Sequence, residues 1–82
     1  IAIGEIVAAH GLDGDVRVQP HTDFPERFTH LDSVWVTPPG HSRRQYHVRR
    51  ARMHETKLLV IVRFEEVRSQ YKARSLVGAV IE

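Results

Sequence analysis

The chain has 82 residues, no cysteine and a formal charge of +2 at neutral pH, which allows one domain with one modest core and excludes a disulfide framework and thiolate metal sites. No apolar run approaches the roughly 20 residues that cross a bilayer as a helix, and no charged-then-apolar leader opens the chain; beginning at Ile1, it reads as an excised domain, cytosolic by default. Charge is polarised: residues 1–40 carry six acids and two bases, residues 41–64 seven bases and one acid, and residues 65–82 three of each.

In chain order, "IAIGEIVAA" is rich in β-branched residues with Gly4 inside, which predicts a strand with a bulge or a close backbone approach. In "HGLDG", residues 10–14, Gly11 and Gly14 bracket Leu12 and Asp13, so the connection can take positive φ at either end. Asp13 and Asp15 flank Gly14, as in a solvated hairpin tip at a barrel corner. A phosphate-cradling loop is the competing reading. A strand follows instead of a helix N-terminus, there is no P-loop lysine, and two aspartates would repel a phosphate. "DVRVQP" alternates, placing Val16 and Val18 on one face and Arg17 and Gln19 on the other. "DFPERF" predicts a turn, with Pro25 setting φ and Phe24 and Phe28 as apolar anchors.

"SVWVTP" predicts a third strand, ended by the Pro38-Pro39-Gly40 breaker. "RQYHVRRARM" predicts a long fourth strand whose apolar parity slips between Val48 and Ala51, implying a bulge near Arg49 and Arg50. "KLLVIVRF" is apolar on both parities from Leu58 to Val62, the pattern of a strand covered on both faces. "SQYKARSLVG" predicts the only helix, with Ser69 as N-cap, Gly78 at C′, and Tyr71, Ala73, Leu76 and Val77 available to the core. "AVIE" closes as a short last strand. Six short strands with turn signals about every ten residues predict an all-β fold, a small closed six-stranded antiparallel β-barrel. Its one short helix would plug one end, and closure would remove the edges that an open sheet exposes.

"GEIVAAHGLDGDVRVQPHTDFPERF", with "LVIVRFEEV" and "ARSLVGAVIE" at the far end, resembles the N-terminal domain of the bacterial ribosome maturation factor RimM family. The family pattern falls here on Gly4, Ile6, His10, Gly11, Leu12, Gly14, Val16, Val18, Thr22, Asp23, Phe24, Pro25, Arg27 and Phe28, then on Ala73, Leu76 and Gly78. Arg74 departs from it, standing where many relatives carry an acid.

The resemblance implies one domain over residues 1–82, a six-stranded barrel similar to those of translation factors, with the family's second, PRC-type barrel absent from this chain. It implies a non-enzymatic assembly factor of ribosome biogenesis that binds the immature small ribosomal subunit and promotes rRNA processing and maturation of the subunit head. The implied partners are the small-subunit precursor, possible rRNA contacts, and a head protein, S-nineteen, met mainly through the absent half. It also implies a cytoplasmic monomer with no cofactor and no membrane contact. A general small-barrel RNA-binding module without ribosome specificity is the alternative.

Candidate residues follow from chemistry. "HSRRQYHVRRARMH" holds five arginines and no acid, and a guanidinium fork suits phosphate because it binds two oxygens at once. Arg43, Arg44, Arg49, Arg50 and Arg52 are therefore the candidate rRNA-binding residues. The competing reading is a solvated face that resists edge pairing. His10, His21, His30, His41, His47 and His54 never fall at the i,i+2 or i,i+4 spacings that build metal sites from neighbours, so no metal site is predicted. His10 is expected to fix a turn carbonyl through one ring nitrogen. Asp23 and Arg27 are expected as a turn-fixing pair, Asp23 accepting backbone N–H groups. Trp35 is expected in the core or at the barrel rim, with base stacking the lesser reading. No Ser-His-Asp order and no paired carboxylates suggest catalysis.

Overall fold

A computed structural model describes all of residues 1–82. The strands are β1 (Gly4–His10), β2 (Asp15–Pro20), β3 (Ser33–Thr37), β4 (Arg44–Met53), β5 (Val60–Phe64) and β6 (Val80–Ile81). A 3₁₀ helix, Pro25–His30, joins β2 to β3, and α1 (Gln70–Ser75) joins β5 to β6. All neighbours are antiparallel, and the sheet closes on itself in the order β1-β2-β5-β4-β3-β6.

Period-2 alternation sets the inside and outside of this barrel. Ile6, Val16, Val18, Val34, Val36, Tyr46, Val60, Val62 and Phe64 point inward into one core cluster, where the Tyr46 and Phe64 rings meet edge to face at 5.4 Å. Two bulges bend the wall: β1 slips register between Ile6 and Ala8, and β4 between Val48 and Arg50. β4 thereby serves two neighbours, pairing with β3 through Arg44 to His47 and with β5 from Val48 onward. The bulge expected near Arg49 is there, and Gly4 marks the close approach. A Cβ on Gly4 would lie 2.9 Å from Val18 Cγ1 and 3.1 Å from Phe28 Cζ.

The two ends are plugged differently. Ser69 caps α1 by accepting the Lys72 N–H at 3.1 Å, and Ala73 of α1 and Leu76 just after it enter the core. Tyr71 and Val77, expected to help, are instead exposed at 85% and 40%; a six-residue helix presents only one narrow stripe to the barrel. Gly78 lies one residue further out than expected, since Leu76 is the C-cap, and it takes φ +94°. At the other end Phe28 is buried. Phe24 is not the second anchor expected: it is half exposed, with the Arg27 guanidinium 5.1 Å above its ring.

The Asp23–Arg27 pair does not form. Thr22 Oγ1, not Asp23, accepts the Phe24 N–H at 3.1 Å, so a threonine fixes this turn and Asp23 is left to solvent. The fifth strand also starts later than "KLLVIVRF" suggested. Leu58 is exposed in the preceding bend, while Val60, Ile61 and Val62 are covered on both faces as expected.

Candidate nucleic-acid interface

The β1–β2 connection is the corner that the two glycines predicted. His10 pairs with Asp15, Gly11 and Gly14 take φ +71° and +109°, and Leu12 is exposed at the tip. Gly14 packs against the backbone leading into α1, where a Cβ would lie 2.7 Å from the Val67 carbonyl oxygen. The two aspartates do more than solvate the tip. Arg63 on β5 donates from Nε to Asp15 Oδ1, and its Nη2 lies 3.9 Å from Asp13 Oδ2. That arginine is committed to the corner.

Above this tie lies a basic wall on β2, β5 and β4. Register sets Arg17 beside Ile61, and Ile61 beside Arg52; one row along, Arg50 stands opposite Arg63. Ile61 is 3% exposed, yet it lies on the outward parity and outside the core cluster. Its shielding falls to the long side chains beside it, whose stems cover apolar surface while their heads stay in water. Arg17, Arg50 and Arg52 have no carboxylate within ion-pair distance. Two adjoining hollows of about 280 and 270 Å³ share Arg52 and Ile61; the second is also lined by His10 and His54.

His10 organises one edge of the wall. Its Nδ1 accepts the Arg17 Nε–H at 3.0 Å, and its ring meets that of His54 edge to face at 6.3 Å. The turn carbonyl expected as its partner is not used, because β2 brings the Arg17 fork alongside instead. Partial burial, and then the Arg17 and Arg52 charges, hold His10 below its ordinary pKa of 6.5; Asp15 opposes this and His54 adds to it. Neutral His10 is thus an acceptor that fixes Arg17 and leaves both Nη groups free.

The five candidate arginines do not form one patch. Arg50 and Arg52 belong to the wall. Arg49, at the bulge, lies 4.0 Å from Glu65. Next to it, Glu66 accepts the His47 backbone N–H at 2.9 Å and contacts His47 Nδ1 at 2.6 Å. Burial raises the Glu66 pKa, but the side-chain and backbone hydrogen bonds from His47 outweigh it and the carboxyl is held below its usual range.

Arg44 opens β4 and Arg43 just precedes it, both across the bulge from Arg52, and they point opposite ways. The Arg43 guanidinium covers the Trp35 ring at 4.6 Å, and Arg44 lines a hollow of about 450 Å³ with Tyr46, Lys72 and Leu76. Trp35 is accordingly neither core nor rim: it is 42% exposed on the outer face of β3. Arg17, Arg63, His54 and Ile61 are the residues that sequence reasoning missed. Only the pairing of β5 between β2 and β4 brings them together, and no local pattern announces that order.

No group of three or more His, Asp or Glu side chains is placed to hold a metal ion, and no helix is long and apolar enough to cross a membrane.

Comparison with known proteins gives this geometry its context. The ribosome maturation factor RimM of a Synechococcus species is 42% identical over 77 residues, covering 94% of this chain and 44% of that protein. That of Desulforamulus reducens is 37% identical over 82 residues, covering 100% of this chain and 47% of the relative. The chain therefore spans somewhat under half the length of these curated relatives. A crystal structure from Pseudomonas aeruginosa, named as a 16S ribosomal RNA processing protein RimM, superposes with a TM-score of 0.86 at 25% identity, covering 99% of this chain and 48% of that one. The family described as the RimM N-terminal domain matches residues 1–82, and this chain, a closed barrel with one basic wall, belongs to it.

Proposed function

We propose that this barrel is a binding module of a ribosome maturation factor: it engages the immature small ribosomal subunit, promotes rRNA processing and head maturation, and performs no reaction itself. One observation carries the RNA side of this reading. Arg17, Arg50 and Arg52 stand together on one wall without carboxylate partners, which is an electrostatic footprint for a polyanion. The names of the relatives, ribosome maturation factors and a 16S ribosomal RNA processing protein, supply the ribosomal context. In this reading the protein partner is the head protein S-nineteen, met mainly through sequence that the relatives carry and this chain does not span.

The test is co-sedimentation of this chain with immature and with mature small subunits, beside titration with arbitrary single-stranded RNA. Enrichment on the immature particle supports the proposal. Equal affinity for any RNA with no enrichment on the particle makes the domain a general RNA-binding barrel and ends the ribosome-specific reading.

A further inference from the structure

We propose that the β2–β5–β4 wall seats the sugar-phosphate backbone of double-helical RNA, gripping phosphates without reading bases. This rests on the reading above that the chain contacts ribosomal RNA, and specifies the form of RNA and the residues that hold it.

Charge on this wall is laid out in rows. Arg17 and Arg52 flank Ile61 in one row, with Arg50 in the next, so Arg17 and Arg52 stand two strand spacings apart, about 10 Å. Arg17 is fixed through Nε by His10, and its two Nη groups have no partner within the fold, a prepared fork. Arg63 is not part of the grip, because Asp13 and Asp15 hold it. Asp15 itself lines the hollow beside Arg50 and Arg52, its charge answered by Arg63.

Proteins that hold single strands use aromatic platforms on which bases stack, whereas duplex RNA is met through phosphates and 2′-hydroxyls. The wall carries no Phe, Tyr or Trp. Phe28, Tyr46 and Phe64 are buried in the core, and Trp35 lies on β3 beneath Arg43. The rings that do border the wall, His10 and His54, are engaged with each other and with Arg17. The wall offers charge at fixed positions and no Phe, Tyr or Trp platform for a base.

The experiment is fluorescence anisotropy with a labelled RNA duplex of about 16 base pairs, a second duplex of unrelated sequence, and each strand alone, over a range of salt. Both duplexes are expected to bind equally and more tightly than the single strands. Arg17→Ala with Arg52→Ala should weaken duplex binding at least about tenfold and lower the log–log salt slope by about 0.9 for each phosphate no longer neutralised. Arg50→Glu, at an exposed position that folding does not need, should weaken it too. Arg43→Ala with Arg44→Ala should leave it within about twofold, since neither lies on the wall.

Tighter binding of the single strands overturns the proposal, as does an unchanged salt slope in the Arg17/Arg52 variant at wild-type melting temperature. Co-sedimentation with immature subunits separates the two readings. If the wild-type chain enriches on the particle and the Arg17/Arg52 variant does so equally, the wall assignment falls while the ribosomal reading stands. If duplex binding follows the wall but the particle is never enriched, the ribosomal reading falls alone.

Discussion

Arg63 on β5 and Asp15 at the start of β2 are joined through Nε and Oδ1, with both side chains mostly buried at 16% and 18% exposure. This pair ties the glycine-bracketed corner to a strand 48 residues away in sequence. Replacing Arg63 by Met would leave the mostly buried Asp15 without its donor, at a cost of about 1.5–3 kcal/mol for a hydrogen bond to a charged group. For a domain of this size each kcal/mol lowers Tm by about 4–8 °C. Thermal unfolding of Arg63→Met should therefore show a clear drop, and a wild-type Tm would mean the tie contributes nothing.

The two corner glycines separate two costs. At Gly11, φ is +71° and an added Cβ meets nothing within 4 Å, so Gly11→Ala incurs only the left-handed backbone penalty, about 1–2 kcal/mol. At Gly14 the same methyl would also lie 2.7 Å from the Val67 carbonyl and 3.0 Å from the Ser69 nitrogen. Gly14→Ala should be the more destabilising in denaturant titrations. The reverse order would mean that the corner does not pack on the lead into α1.

Acid should loosen the wall. His10 has its pKa held below 6.5 in the fold, chiefly by burial and then by the Arg17 and Arg52 charges, so the unfolded chain takes up this proton first. The stabilising contribution of neutral His10 is complete above about pH 6.5 and declines as pH falls from there toward the folded pKa. Glu66, also depressed, adds a loss at lower pH, as its carboxylate protonates. His10→Gln keeps an acceptor for Arg17 but cannot titrate. Its Tm should fall less than that of the wild type between pH 7 and 5.5; parallel curves would assign the acid sensitivity elsewhere.

Trp35 is the single tryptophan, and it lies on β3 with Arg43 4.6 Å over its ring. Arg43→Ala should change its fluorescence while altering stability by no more than about 0.5–1 kcal/mol, the scale of an exposed cation–π contact. RNA seated on β2, β5 and β4 should leave Trp35 emission nearly unchanged. Strong quenching on duplex addition would move the interface to the Trp35 side of the barrel.

Local chemistry made much of this fold legible. Alternation put Val16 and Val18 on one face, which proves to be the core face, the parity slip located the bulge near Arg49 and Arg50, and Ser69 announced the start of α1. Each signal lies within a few residues of what it determines. The misreadings share a cause as well. Phe24, Tyr71 and Trp35 are apolar residues whose fate depends on which surface faces them, and a barrel of this size has room for few large side chains. Asp23 lost its expected role to Thr22 one residue away, a choice between two short polar side chains that composition cannot make. The candidate site was half legible: Arg50 and Arg52 stand out in the arginine run, but Arg17, His10 and His54 join them only after β5 inserts between β2 and β4. Sequence adjacency meanwhile grouped Arg43 and Arg44 with them, although Arg44 starts the other end of β4 beside Lys72 and Arg43 precedes it over Trp35.

The seam of the barrel is sewn by its shortest strand. Residues Val80 and Ile81 bridge Gly4 and Glu5 on one side and Val36 and Thr37 on the other, so closure waits for the sixth and last strand of the barrel to arrive. During synthesis, which proceeds from the N-terminus, the nascent domain stays an unfinished cylinder with β1 and β3 unpaired at the gap until Ile81 has emerged. A polypeptide that stops short of Val80 would be left with two raw edges where the closed barrel has none.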